Sequence, residues 1–269
     1  MSGSQRSQQQ KAEAFRALHG SGVFLIPNPW DAGSAKVLAA LGFAALASTS
    51  SGFAFTLGRL DGGTALDEVA AHARALAEAT PLPVSVDLEN GYGPEPADAV
   101  RAITAVAEAG AVGGSIEDFD PAGGLYPVAR AAERIAAAAE AARDFGFPFT
   151  LTARAENHIR GNPDLDDTIA RLRAYERAGA DVLYAPGLAT TADIGAVCAA
   201  VTRPVNVLAR PDLTVAGIAA AGARRISVGG ALAWVAVNAM ASAAQRILAD
   251  GDLSALAVPK QVARWLESD

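Results

Sequence analysis

The sequence predicts an α/β fold, a (β/α)8 barrel of the TIM type, in a single domain over residues 1–269. Three observations predict it. Short apolar runs alternate with alanine-rich helical runs along the whole chain. There are eight such pairs, the number that closes a barrel. Polar and charged residues gather after the predicted strands, whereas the turns leading into them hold mostly Ala and Gly. Barrel enzymes carry their chemistry at the carboxyl ends of the strands, so this asymmetry points to an enzyme.

In order, strands are expected over 23–27, 44–48, 84–88, 112–117, 149–153, 182–185, 205–208 and 225–228. Each is brief and nearly continuously apolar, as parallel strands covered on both faces are. Helices are expected over 31–41, 65–79, 97–109, 128–145, 165–178, 192–201, 215–221 and 231–249. Gly42, Gly110, Gly179 and Gly222 stand where helices must end, and glycine supplies the left-handed cap. The rival arrangement is a doubly wound open sheet. Its Gly-x-Gly-x-x-Gly turn is missing after the first strand, where Ile26-Pro27-Asn28-Pro29-Trp30 stands instead. Two helical stretches are left over, 9–19 before the barrel and 253–266 after it. Residues 1–10 read as a flexible polar tail with no apolar signal core.

Composition narrows the function. The formal net charge of -7 argues against a nucleic-acid partner, because phosphates demand a basic surface. A small anionic substrate remains possible, since one pocket arginine suffices for it. No apolar run reaches the roughly 20 residues that span a membrane, so no membrane association is expected. The single cysteine, Cys198, excludes disulfides within the chain, points to a cytoplasmic setting and reads as a small core residue.

The strongest chemical signal is Val84-Ser85-Val86-Asp87-Leu88-Glu89-Asn90-Gly91-Tyr92-Gly93. A buried strand that ends in two carboxylates needs a partner for them, because an unpaired buried ion costs several kcal/mol. Asp61, Asp87, Glu89 and Glu117 can converge on one cation, with one carboxylate bound directly and the others holding its waters. An oxygen-only set suits Mg2+, with Mn2+ as the alternative, and His and Cys are too scarce at the strand ends for zinc. Taken singly, any of these acids could instead cap a helix. Arg154 follows the fifth strand and can grip a carboxylate or phosphonate, or neutralise Glu117 or Glu156. Ser50-Ser51-Gly52 can aim backbone N–H groups at a substrate oxygen, or be an ordinary turn. Trp30, Tyr184 and Asn206 complete the strand ends as substrate contacts. His158 reads as a solvated loop residue, His19 and His72 as surface or partly packed ones. Gly229-Gly230 opens the last long helix, a place where barrels bind phosphate.

Together these motifs resemble the isocitrate lyase/phosphoenolpyruvate mutase superfamily over about residues 24–248. The carriers are Pro27-Asn28-Pro29-Trp30-Asp31-Ala32, Ser48-Thr49-Ser50-Ser51-Gly52, Leu57-Gly58-Arg59-Leu60-Asp61, the Asp87 to Gly93 run, Ile116-Glu117-Asp118, Ala153-Arg154-Ala155-Glu156 and Pro204-Val205-Asn206-Val207-Leu208. The resemblance implies a barrel whose last helix is exchanged between subunits of a homodimer or homotetramer, which would put 253–268 at an interface. It implies Mg2+ and cleavage or formation of a C–C or P–C bond next to an enolate of a 2-oxo acid. It implies Asp87 nearest the metal, Asp61, Glu89 and Glu117 around its waters, Arg154 on the substrate carboxylate, and the Ser50-Ser51 turn on the enolate oxygen.

The departures bear on the reaction. Isocitrate and methylisocitrate lyases carry a Lys-Lys-Cys-Gly-His loop after strand four; here the loop is Phe119-Asp120-Pro121-Ala122-Gly123-Gly124-Leu125-Tyr126-Pro127, without Cys, Lys or His. Phosphoenolpyruvate mutase has an Asn in a longer loop and a His after strand six; Tyr184-Ala185-Pro186-Gly187 stands there instead. Three functions compete: a Mg2+-dependent lyase, decarboxylase or hydrolase of a small 2-oxo acid or hydroxy di-acid, a phosphonate mutase-like enzyme, and a metabolite-binding barrel without turnover.

Overall fold

Eight parallel strands follow one another around a nearly closed barrel. A computed structural model describes residues 6–257 and 261–267. The strands are β1 (Phe24–Ile26), β2 (Leu46–Ala47), β3 (Val84–Asp87), β4 (Gly113–Glu117), β5 (Thr150–Arg154), β6 (Val182–Tyr184), β7 (Val205–Leu208) and β8 (Arg225–Ser227). Seven fall inside the expected stretches, and β5 runs one residue past its own, to Arg154. The helices are α1 (Gln8–Leu18), α2 (Ala32–Ala40), α3 (Ser50–Thr56), α4 (Leu66–Ala79), α5 (Pro96–Glu108), α6 (Val128–Arg143), α7 (Leu165–Arg177), α8 (Thr191–Ala200), α9 (Val215–Ala220), α10 (Ala231–Asp250) and α11 (Val262–Glu267). Gly42, Gly110, Gly179 and Gly222 all have the left-handed φ their places require.

The strands are less uniformly apolar than the sequence pattern implied. Leu151, Leu183, Val207 and Ile226 are fully buried and belong to the large apolar core shared with the helices. The alternate positions, Ser85, Thr152, Asn206, Arg225 and Ser227, are also buried, and they meet one another inside the barrel or line its cavity. This is the two-residue alternation of barrel strands, here with a polar interior.

The N-terminal helix closes the bottom of the barrel, which corrects the tail reading for residues 7–10; residues 1–5 lie outside the described residues. Ser7 caps α1, accepting from Gln10 N–H. Gln8 donates to the carbonyls of Ala107 and Ala111 at 2.7 and 2.9 Å, and Lys11 to those of Ala77 and Thr80 at 2.8 Å. Phe15 is fully buried, and a Cβ on Gly113 would stand 3.0 Å from its ring and 2.8 Å from Thr150 O, so β4 needs glycine there.

At the other end, β1 and β2 share one backbone bond, Ala47 N–H to Pro27 C=O at 3.1 Å. The side chain of Asn28 completes the closure. It donates to Ser48 O at 3.0 Å and accepts from Val228 and Gly229 N–H at 2.9 Å each.

Four further expectations are corrected. The stretch 253–266 is a 3-10 turn at Ser254–Leu256 and the short helix α11; residues 258–260 and 268–269 lie outside the described residues. Helix α10, 20 residues long with a mean hydropathy of 1.2, is long and apolar enough to cross a membrane by length and composition alone, although Arg246 and Asp250 interrupt it. His19 and His72 are buried rather than on the surface, and burial lowers them to about 3 and about 4. His158 is half-buried on the 3-10 turn Asn157–Arg160, with Nε2 unpartnered, and is no solvated loop residue.

Candidate active site

Parallel register brings the polar strand ends together. Glu117 pairs with Arg154, and Arg154 with Tyr184, across neighbouring strands. Asp87 stands opposite Ser115 one strand earlier. The Arg154 guanidinium is the hub of this row. Its Nη1 lies 3.1 Å from Asp87 Oδ1 and 2.9 Å from Glu117 Oε1, and its Nη2 lies 2.9 Å from Glu156 Oε1. The Tyr184 ring lies against it, 5.0 Å from centroid to guanidinium carbon. Arg160 approaches from the next turn, its Nη2 3.4 Å from Glu156 and 3.6 Å from Glu117, while stacking on Phe119 at 3.8 Å.

Three carboxylates, those of Asp87, Glu117 and Glu156, thus crowd around two guanidinium groups, and Glu89 and Asp61 add their charge beside Asp87. The surplus of negative charge appears in their proton affinities. Burial pushes Glu89 up to about 7, with Asp87 and Asp61 adding repulsion. Burial pushes Glu117 up to about 8; Arg154 opposes this, while Glu156 and Asp87 reinforce it. Glu156 is fully buried and shifted the same way, its Oε2 having no hydrogen-bond partner.

The turn after β3 is held from outside the site. Glu89 and Tyr92 both adopt positive φ, 48° and 62°, which non-glycine residues rarely do. Arg134 on α6, almost fully buried, donates to the carbonyls of Asn90, Gly93 and Glu117 and so props the turn. Asp118, next to Glu117, faces the outer layer. It accepts from Glu156 N–H at 2.8 Å, Arg171 Nη1 at 2.9 Å and the Tyr175 hydroxyl at 2.5 Å.

Across the mouth, Thr49 caps the short helix α3, accepting from Gly52 N–H. Ser50 and Ser51 form its first turn, where backbone N–H groups have no intrahelical acceptor. Ser48 Oγ accepts from Asp87 N–H at 2.9 Å, which ties this turn to β3.

Ser50, Ser51, Asp61, Asp87, Arg154, Tyr184 and Asn206 line one cavity of about 220 Å³. Glu89 and Glu117 stand behind Asp87 and Arg154 rather than on its wall. Trp30 is not on the wall either; its Cβ is 3.0 Å from where a Gly52 Cβ would be, so it packs on α3. Among the described residues, no three acidic, His or Cys side chains form a cage around a cation. The role of Arg154 also shifts: most of its N–H groups are committed to acids, the neutralising alternative weighed above. Glu156 carried some sequence signal as such a partner; Arg134 and Ser115 carried none, because their partners lie far along the chain or across strands, and Arg160 is four residues from Glu156 but meets Glu117 only through the fold.

A barrel with acids and arginines at its mouth suits a small anionic ligand, and comparison with known proteins gives the family. The family model described as phosphoenolpyruvate phosphomutase matches residues 15–248, so this chain belongs to that family, within the phosphoenolpyruvate mutase/isocitrate lyase superfamily. A solved candidate lyase/mutase from Burkholderia cenocepacia J2315 is 50% identical, with a TM-score of 0.94 over 97% of this chain and 98% of that one. An oxaloacetate decarboxylase of Rhodopseudomonas palustris (strain BisB5) is 33% identical over 201 residues, 73% of this chain and 68% of that protein. A phosphonopyruvate hydrolase solved with oxalate and Mg2+ is 25% identical, with a TM-score of 0.84 over 95% of this chain and 94% of that one.

Proposed function

We propose that this chain is a Mg2+-dependent lyase, decarboxylase or hydrolase that cleaves a C–C or P–C bond next to an enolate, on a small 2-oxo acid or hydroxy di-acid. The observation that carries the reading is the joint placement of Asp87, Arg154 and the Ser50-Ser51 turn on one cavity of about 220 Å³. A cavity of that size suits an acid of few carbons. The similarity to an oxaloacetate decarboxylase and to a phosphonopyruvate hydrolase supports the same chemistry.

The donor set fits a hard divalent cation. Its members are carboxylates and hydroxyls, and the acids of the row, with Glu89 and Asp61 beside Asp87, outnumber the two guanidinium groups, an excess of negative charge that a dication offsets. Asp87 is the residue to hold it, with Asp61, Glu89 and Glu117 around its waters. The ion would supply stabilisation of negative charge on substrate oxygens. The protein's own groups do the rest. The Ser50 and Ser51 N–H groups lie where an enolate oxygen can accept from them. Arg154 retains N–H capacity for a substrate carboxylate after its acid partners are counted. Tyr184 stacks on Arg154 and fixes its plane.

A homo-oligomer is part of this proposal. Trp234, Val235, Met240 and Leu248 on α10 are exposed, Leu248 to 90%, and an apolar surface of that kind belongs at a subunit contact. Incubation of the protein and Mg2+ with a panel of 2-oxo and hydroxy acids, beginning with oxaloacetate, tests the function. Release of pyruvate, glyoxylate or CO2 is expected. No turnover across the panel, together with no Mg2+-dependent binding of oxalate, would sink the reading.

A further inference from the structure

Below the acid row, the barrel interior holds a second guanidinium, and its surroundings differ in kind. Arg225 opens β8 and is buried, 5% exposed, yet it belongs to the wall of the same cavity as Asp87 and Arg154. Its hydrogen-bond partners are neutral. Nε donates to Asn206 Oδ1 at 2.8 Å and Nη2 to Thr152 Oγ1 at 3.0 Å. Nη1 faces His19 Nε2 at 3.5 Å. His19 Nδ1 lies 2.8 Å from Phe15 O, a contact that requires the proton on Nδ1 and leaves Nε2 as the acceptor. Burial, then the nearby guanidinium, lowers His19 to about 3, so the imidazole is neutral at any physiological pH.

Among the described residues no carboxylate pairs with Arg225, and burial lowers it to about 10. A buried charge held only by neutral acceptors is costly, and a fold gains nothing from it that a well-packed apolar residue would not provide. Arg154, by contrast, has three carboxylates against it. The cation on this cavity whose field is not already cancelled is therefore Arg225.

We propose that Arg225, held by Asn206, Thr152 and His19, is the charge-selecting floor of the substrate cavity: its uncancelled positive charge raises affinity for doubly anionic over singly anionic ligands. It acts as a specificity-determining residue through its field and through the wall residue Asn206, which donates to Ser227 Oγ at 3.0 Å with its other arm. The inference rests on the reading of this cavity as the substrate site.

Calorimetric titration of oxalate (two charges) and oxamate (one charge), with Mg2+ present, tests it on three proteins: wild type, Arg225→Met and Arg225→Gln. The glutamine removes the charge and keeps an amide N–H donor for Asn206 or Thr152, and it carries the test alone should the methionine variant fail to fold. Wild type should favour oxalate. Both variants should lose about tenfold or more in oxalate affinity and much less for oxamate, as expected for one cancelled charge at an intermediate effective dielectric. Their melting temperatures should hold or rise. Equal losses for the two ligands, or unchanged oxalate affinity in either folded variant, would overturn the proposal while leaving the enolate reading intact. Failure of wild type to bind either anion would remove both.

Discussion

Arg154 and Glu117 meet at 2.9 Å as a registered cross-strand pair at the barrel mouth. The same nitrogen reaches Asp87 at 3.1 Å, so one guanidinium fixes the ends of three neighbouring strands. Lysine offers a single point charge in place of the planar fork. Arg154→Lys should therefore lower kcat/KM by about a hundredfold or more, and removal of the paired fork should cost about 3 kcal/mol of stability. Steady-state kinetics and urea unfolding measure the two effects.

Asp87 should be separable from the fold. Its backbone N–H makes the bond to Ser48, and its carboxylate is one of three acids on Arg154, so the guanidinium keeps Glu117 and Glu156 when Asp87 is truncated. Asp87→Ala should abolish turnover and weaken Mg2+ binding by at least about tenfold, with a smaller fall in melting temperature than Arg154→Lys. Calorimetric Mg2+ titration decides it; wild-type metal affinity and activity would refute the assignment.

The acid row should make metal-free protein sensitive to pH. Glu89 and Glu117 titrate at about 7 and about 8 in the folded state, above the ordinary 4.5. Folded protein then binds protons that unfolded chain has released, so their contribution is lost as pH rises through those values. The buried His19 and His72 have the opposite sign, because their folded values lie below 6.5. Their contribution is complete once pH exceeds about 6.5. Between about pH 6.5 and 8 the carboxyl groups act alone. Melting curves in EDTA should fall over that window, and added Mg2+ should restore stability most at its upper end. A melting temperature that rises across the window would contradict the burial assigned to these acids.

Asp118 should behave as a structural residue although it adjoins Glu117. It is 2% exposed and joins Glu156 N–H, Arg171 and Tyr175. Asp118→Asn leaves Arg171 without this buried counter-ion and should cost about 3 kcal/mol or more. Tyr175→Phe should cost about 1–2 kcal/mol. Because Asp118 also holds the backbone before Asn157, its replacement should raise KM as well. Chemical denaturation followed by kinetics on the surviving fold separates the two effects.

The exposed face of α10 predicts self-association. Wild type should elute as a dimer or larger species in size-exclusion chromatography with light scattering. Val235→Glu, at a position 65% exposed, should shift it toward monomer. A monomeric wild type at micromolar concentration would end the oligomer proposal.

The barrel was legible because each βα unit announces itself locally: an apolar run, a helix, then a glycine with left-handed φ, as at Gly110 and Gly179. Asp87, Arg154 and Ser50 were legible because they follow such runs. Helix α3 was hidden by its composition, Ser-Ser-Gly-Phe-Ala-Phe-Thr, which has little helical propensity and needs the Thr49 cap. The paired strands Phe119–Asp120 and Gly124–Leu125 are too short to leave a pattern. Arg134 and Arg225 were invisible for another reason. Their meaning lies in contacts 17 to 73 residues away in sequence, or more, which periodicity cannot register.

The Asn28 bridge makes the barrel's last seam depend on one amide side chain. The wall on either side is built from ladders of backbone bonds; here β1 and β2 share a single one. Ser48 accepts the bridge at its carbonyl and begins the turn that carries Ser50 and Ser51. Any breathing of the cylinder would start at this suture, and the donor turn would move with it, so parting of the wall and exposure of the reaction chamber become one event.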